Sequence, residues 1–372
     1  MKKAVFIVNH HVVIYNFRKE IVRTFIQEGV EVHIISPAGP GVEKLVEDGA
    51  IWHDAPVDRH GTSIMDDFKL MQLYKSLLRE IDPDLVLCYT IKPNIYGGFA
   101  AKSLGIPYVV NITGLSSAID NGGKTAKLVM FLYRLALRKV QRIFFQNKEN
   151  MEFFKEHKLT FGREKLLPGS GVNLEEFKCL PLPSDKTRFV YVARIMREKG
   201  IDEYLEAAKA VKKNHPDTEF LVCGFSEEDY AGRLKEAEDE GTIIYKGMVD
   251  DIRTVLKDVS CIVHPSFYPE GISNAILEAI ASGRGVITTD MPGCRNLCID
   301  GVNGYIVKPK DSKGLAAAIE KYLSLSDEER TAMGLAGRKL AEEKFDRNIV
   351  INACRSELDL AASFKRIKGS AR

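Results

Sequence analysis

The feature that most constrains this chain is a rhythm of short, continuously apolar segments separated by longer helical patterns, run through twice. Apolar segments fall at 3–8 (KAVFIV), 31–35 (EVHII), 84–88 (DLVLC), 107–111 (PYVVN) and 142–146 (RIFFQ). Helical patterns lie between them, near 17–28, 64–80, 94–104 and 122–140. β-branched runs with no polar alternation have no solvent face, so the strands they form need cover above and below. Helices between successive strands supply it, which predicts a parallel sheet covered on both faces.

At 179–186 the rhythm stops at CLPLPSDK, where Pro181 and Pro183 read as a linker. It restarts with strands predicted at 188–193, 218–222, 242–245, 260–264 and 285–289, and helices near 200–213, 226–238, 250–257 and 273–282. A helical tail follows at 311–322, 326–343 and 346–365. The fold class is therefore α/β, with two doubly wound units: 1–180, then 181–355. The length of 372 residues agrees, at about 150 residues per domain. In such sheets ligands sit beyond the strand C-termini, so the strand-end loops carry the functional reading.

Composition removes several function classes. A chain 45% apolar and 28% charged is not disordered, and 53 basic against 51 acidic residues is too balanced for a dedicated nucleic-acid binder. The seven Cys (88, 179, 223, 261, 294, 298, 354) form no Cys-x-x-Cys pair. That pattern suggests buried thiols in a reducing cytosol and no metal site. Residues 4–8 are too few for a signal-peptide core, and no stretch approaches the roughly 20 apolar residues that span a bilayer.

Two strand-end loops carry chemistry. Ala193 to Gly200 (ARIMREKG) runs from a strand into a helix, with Arg194 and Lys199 flanking the turn. Helix N-terminal N–H groups and two cations suit an anion, a diphosphate above all. Taken alone, Arg-x4-Lys also describes a solvated basic loop. The second loop, PSFYPEGIS, follows the strand SCIVH and opens the next helix. Gly271 permits close backbone approach, and Glu270 can accept hydrogen bonds from sugar hydroxyls or act as a cap. Glu278 lies among Ile276, Leu277, Ala279 and Ile280; it needs a partner such as a ribose diol, or lies on an exposed helix face.

Arg194-x4-Lys199 followed by Glu270-x7-Glu278 resembles glycosyltransferase family 4, the retaining enzymes of the GT-B fold. Gly169-Ser170-Gly171-Val172-Asn173, Phe177, Pro292-Gly293 and Gly301-x2-Gly304-Tyr305 agree with it, in order along nearly the whole chain. Near the N-terminus, Tyr15-Asn16-Phe17-Arg18 and Thr113-Gly114-Leu115 resemble the capsule and lipid-linked oligosaccharide branch. The resemblance implies two Rossmann-like domains facing across a cleft, with a C-terminal helix of about 355–372 returning to the first. It implies transfer of a hexose or N-acetylhexosamine from a UDP-sugar to an undecaprenyl-diphosphate-linked saccharide.

Carried over by position, it puts Arg194 and Lys199 on the donor diphosphate in place of a metal, and Glu278 on the ribose. Glu270 falls on the transferred sugar, the N–H groups of Gly271 and Ile272 near donor oxygens, and the loop from Gly247 to Ile252 near the base. Tyr15, Asn16, Arg18, Thr113 and Gly114 fall on the acceptor side. Many relatives place a His after the strand corresponding to 107–111, whereas this chain has Asn111-Ile112-Thr113-Gly114. His10 and His11 lie in the first strand-end loop, and as neighbours they are expected to point apart.

Residues 121–148 hold seven basic residues (Lys124, Lys127, Arg134, Arg138, Lys139, Arg142, Lys148) and no acid. They read either as an amphipathic helix for anionic lipid headgroups or as a core helix edged with long cations. The basic tail, Lys365 to Arg372, would return to the same domain. Through residue 170 the chain carries 23 basic and 18 acidic residues, so the first unit is positive. The expectation is a cytoplasmic enzyme, peripheral on the inner face of the plasma membrane. The alternatives are a UDP-sugar epimerase of the same fold and a non-catalytic nucleotide-sugar binder.

Overall fold

The computed structural model describes residues 1–58, 63–115, 119, 122–226 and 228–370, without the side chains of 366–370. Asn121, at the head of the basic segment, and the tail side chains from Arg366 onward lie outside the described residues. The chain divides into two compact units: Met1–Ser170 with the chain from Asn348 on, and Gly171–Arg347.

Unit 1 is a seven-stranded sheet of β1 (Lys3–Ile7), β2 (Glu31–Ser36), β3 (Ile51–Asp54), β4 (Leu85–Tyr89), β5 (Tyr108–Ile112), β6 (Arg142–Phe145) and β7 (Glu164–Leu166). The order is β3-β2-β1-β4-β5-β6-β7, and every pair is parallel. β4 and β5 are buried at every residue, as their largely apolar runs demand. On one face Phe6 and Tyr89 pack with Ile14, Ile21 and Phe25 of the helix His11–Gln27. Val350, Cys354 and Leu358 of the last helix, Arg347–Ser370, join that core. Each such buried aliphatic contributes about 1.5–3 kcal/mol, so the C-terminal helix is part of the first unit's core. The other face is covered by the helices Ile64–Ile81 and Gly123–Ala136.

Unit 2 holds β8 (Arg188–Val192), β9 (Glu219–Cys223), β10 (Ile244–Gly247), β11 (Cys261–His264), β12 (Gly285–Thr289) and β13 (Gly304–Val307). Their order is β10-β9-β8-β11-β12-β13, again all parallel. In both sheets the winding direction reverses once, between β1 and β4 and between β8 and β11. A crevice opens at such a reversal because the connecting loops leave in opposite directions.

The boundary falls at Ser170/Gly171, ahead of Pro181. Val172 lies in the second unit's core, with its N–H on the Phe345 carbonyl, and the Leu180 N–H reaches Ser282. Three strands escape the apolar pattern: β3, β7 and β13, which all lie at sheet edges. β3 and β7 are largely exposed and carry polar residues, so the continuous apolar signal fails there.

Candidate active site

The loops leaving β8 and β11 are held together by their backbones. Gly200 has φ +75°, and a Cβ there would stand 2.2 Å from the Pro265 carbonyl oxygen. Only glycine permits that approach. The Phe267 N–H then donates to the Glu198 carbonyl at 2.8 Å. A third loop presses from the side: Ser273 N–H donates to the Gly293 carbonyl at 3.0 Å, and a Cβ on Gly293 would come 2.7 Å from the Glu270 carbonyl oxygen.

This scaffold brings Lys199 onto Glu270. Lys199 ends the short turn Arg197–Lys199 before the helix Ile201–Lys212, and its Nζ lies 2.5 Å from Glu270 Oε1. The same oxygen accepts from Ser266 Oγ at 2.9 Å and faces His264 Nε2 at 3.3 Å. His264 Nε2 also meets Ser273 Oγ at 3.2 Å. Burial alone would push the Glu270 carboxyl up, but the Lys199 charge and His264 outweigh it and hold the group well below the usual carboxylate range. Glu270 is therefore ionised, with three groups gathered on one of its oxygens.

Arg194 is half-buried, and its guanidinium lies 5.5 Å from the centroid of the Tyr268 ring; Lys199 Nζ stands 4.8 Å from the same centroid. One aromatic ring thus gathers both cations. Tyr191, buried under the loop, donates from its hydroxyl to the Arg194 carbonyl at 3.2 Å.

Candidate ligand atoms of His264, Glu270 and Cys294 lie within 4.8 Å of one another, a grouping the scattered cysteines did not suggest. The donor set suits a divalent ion poorly. Lys199 already places an ammonium on the carboxylate, and burial pushes the Cys294 thiol up to about 12, so it stays protonated at neutral pH.

The remaining expected donor-site residues lie on the same sheet edge or just beyond it. Gly271 and Ile272 are buried immediately before the helix Asn274–Ala281, and Glu278 is half-buried on its second turn. Gly247 ends β10 with φ +64°, its carbonyl accepting from the Gly224 N–H at 2.8 Å. The structure puts Lys199 in direct contact with Glu270, and brings Arg194 to the same Tyr268 ring as Lys199. Gly247 stands two strands away from β8, and Glu278 stands on the helix. Sequence reasoning missed His264, Ser266, Tyr268 and Ser273. The available signal was position, since His264 ends a strand at the reversal and the other three lie in its loop.

In unit 1, Thr113 and Gly114 are half-buried just past β5. Tyr15, Asn16 and Arg18 lie on the helix His11–Gln27 and point into different surroundings. Tyr15 has Lys44 Nζ 5.2 Å from its ring centroid, and Asn16 is exposed. Arg18 is only 2% exposed, stacked 4.7 Å from the Tyr89 centroid. The two histidines do not point apart: their rings stack at 4.5 Å. The helix starts earlier than its apolar pattern suggests. His10 caps it by accepting from the Val12 N–H, and His11 is its first residue.

Residues 172–340 match the family model of the glycosyl transferases, group 1, and residues 3–147 that of the glycosyl transferase 4-like proteins. The chain belongs to this glycosyltransferase family. It is 26% identical, over 91% of its length and 93% of the relative's, to the Campylobacter jejuni N,N'-diacetylbacillosaminyl-diphospho-undecaprenol alpha-1,3-N-acetylgalactosaminyltransferase. It is also 26% identical to the Escherichia coli UDP-Gal:alpha-D-GlcNAc-diphosphoundecaprenol alpha-1,3-galactosyltransferase, over 76% of this chain and 78% of that one. Among solved structures it resembles Anabaena HepE in complex with UDP and glucose, with a TM-score of 0.79, 17% identity, and coverage of 96% of this chain and 99% of that chain. The glycosyltransferase fold is GT-B, with one Rossmann-like sheet in each unit.

Proposed function

We propose that this glycosyltransferase moves a hexose or N-acetylhexosamine from a UDP-sugar to an undecaprenyl-diphosphate-linked saccharide in capsule or polysaccharide synthesis, with retention at the anomeric carbon. The observation that carries the reading is the Arg194–Lys199–Glu270 constellation at the β8/β11 reversal. Two cations over one ring suit a diphosphate whose charge grows as the glycosidic bond breaks, and preorganised charges act most strongly on charge that develops in the transition state. Held ionised by Lys199, Glu270 accepts hydrogen bonds from hydroxyls of the transferred sugar. Buried N–H groups at Gly271 and Ile272 face donor oxygens, Glu278 takes the ribose and the Gly247 loop the base. The cationic clamp stands in for a divalent metal.

The acceptor reading draws support from the two relatives whose names specify diphospho-undecaprenol acceptors. Retention follows from a front-face displacement in which the leaving phosphate takes the acceptor proton, with Thr113 and Gly114 on the acceptor side.

The enzyme works in the cytoplasm, on the inner face of the plasma membrane. No described helix is long and apolar enough to cross a membrane. The helix Gly123–Ala136 buries Ala126, Tyr133 and Ala136 while exposing Leu128 and Phe131 between Lys124, Lys127 and Arg134. Apolar residues flanked by cations suit an anionic bilayer surface. The test is a transfer assay with UDP-hexoses and UDP-N-acetylhexosamines on prenyl-diphosphate-linked sugars. Glu270→Ala and Arg194→Ala are expected to lose transfer, and full activity in both would remove the site assignment.

A further inference from the structure

The β1/β4 reversal in unit 1 carries a second polar group. Ile7 pairs with Cys88, so two residues on Asn9 stands level with Thr90 at the C-terminal edge of the sheet. Thr90 has φ +73°. β-branched residues rarely adopt this left-handed conformation, because their Cβ substituents crowd the backbone. Its carbonyl accepts from the Asn94 N–H at 2.9 Å as the chain turns into the next helical segment. Glycine or asparagine would make that turn without strain, so the backbone gives no reason for a threonine. Strain of this kind gathers at ligand sites.

Three side-chain oxygens at this edge add to that observation. Thr90 Oγ1, Asn9 Oδ1 and Asn94 Oδ1 are covered and have no hydrogen-bond partner among the described residues. Asn94 is 1% exposed, and its amide is oriented by its Nδ2, which donates to the Asn111 carbonyl at 2.8 Å. The Asn111 Nδ2 in turn donates to the Cys88 carbonyl at 3.3 Å, tying β5 to β4. Asn94 therefore offers only an acceptor, as Asn9 Oδ1 does, while Thr90 Oγ1 both gives and accepts.

Among the described residues, the two cations flanking this edge in sequence are turned elsewhere. Lys92 Nζ is 2.7 Å from Asp67, whose other oxygen takes the Tyr96 hydroxyl. Arg18 is turned onto the Tyr89 ring and the Phe17 carbonyl. An ionised diphosphate offers acceptors alone and a prenyl chain offers nothing. Saccharide hydroxyls and acetamido N–H groups supply the missing donors.

We infer that Asn9, Thr90 and Asn94 form the subsite that reads the saccharide of the acceptor, with Asn94 supporting from beneath. The inference rests on the lipid-linked-acceptor reading above and names the part of the acceptor that is read. The test uses the full chain and a panel of short-prenyl diphosphates bearing a hexose, an N-acetylhexosamine or no sugar, with UDP binding as the control. Thr90→Gly and Asn9→Ala are each expected to weaken the best sugar-bearing compound about tenfold, the scale of one lost hydrogen bond. Both should leave the sugar-free compound and UDP unchanged. Thr90→Ser should bind as the parent does, and Thr90→Gly should melt no lower than the parent despite its lost affinity, because it relieves the strain.

Equal affinities in all variants would overturn the subsite and reduce these oxygens to partners of internal water. Equal weakening of the sugar-free compound would move the site to the diphosphate. If the parent chain binds UDP but none of the lipid-linked sugars, the acceptor reading fails together with this one.

Discussion

The two sheets repeat one topology, yet their reversal points carry opposite chemistry. At β8/β11 the groups are charged and clustered, with Lys199, Ser266 and His264 converging on one oxygen of Glu270, while His264 Nδ1 has no hydrogen-bond partner among the described residues. At β1/β4 the groups are neutral amides and a strained hydroxyl. The fold supplies a crevice in both places, and the side chains decide what fits it. Fixed charge suits a leaving diphosphate, while neutral oxygens suit sugar hydroxyls.

The charged site should respond most strongly to mutation. Glu270→Ala leaves Lys199 and His264 without a carboxylate, and breaking a buried pair from one side costs about 3–5 kcal/mol. Transfer should fall by about 10²–10³-fold as well. Chemical denaturation and a transfer assay check both. A variant as stable and active as the parent would erase the contrast between the two reversals. Gly200→Ala should come next: its Cβ would collide with the Pro265 carbonyl at positive φ, so about 2 kcal/mol or more of stability and most UDP affinity should go. Parental stability in that variant would show the two loops to be less tightly joined than described.

A smaller effect belongs to the exposed stripe of unit 1. Neutralising Lys124, Lys127 and Arg134 together should lower partitioning onto phosphatidylserine vesicles, by about fivefold per residue. Unchanged partitioning would return that helix to a purely packing role.

The smallest effect concerns pH. The folded Glu270 carboxyl sits below its unfolded value, so its stabilisation is complete above the ordinary Glu value of about 4.3 and is lost as pH falls below that. The difference in melting temperature between the parent and Glu270→Gln should stay level from about pH 8 to about pH 5, then narrow below about pH 4. Narrowing that begins near neutral pH would mean the carboxyl is not held ionised.

The interior strands were legible because burial on both faces forces unbroken apolar runs such as LVLC and CIV. The edge strands IWHD and EKL were not, because exposed edges accept polar residues and show no period. Arg194, Lys199 and Glu270 stood out through the family resemblance, since Arg-x4-Lys alone also describes a solvated basic loop. His264 was hidden because it reads as the last residue of a strand, and its contact with Glu270 arises only when the following loop folds back. Thr90 was hidden for a different reason: its significance lies in a backbone angle, which residue type does not encode.

The central claim is that the β8/β11 reversal binds a nucleoside diphosphate through its two cations. Calorimetric titration of UDP into the parent chain and into Arg194→Ala tests it most directly, because Arg194 is only half-buried and its removal leaves the Lys199–Glu270 pair in place. The account expects measurable UDP binding by the parent and a loss of about tenfold or more in the variant, as for a charge-assisted hydrogen bond. Equal affinity in the two proteins, or no UDP binding by a folded parent, would contradict it.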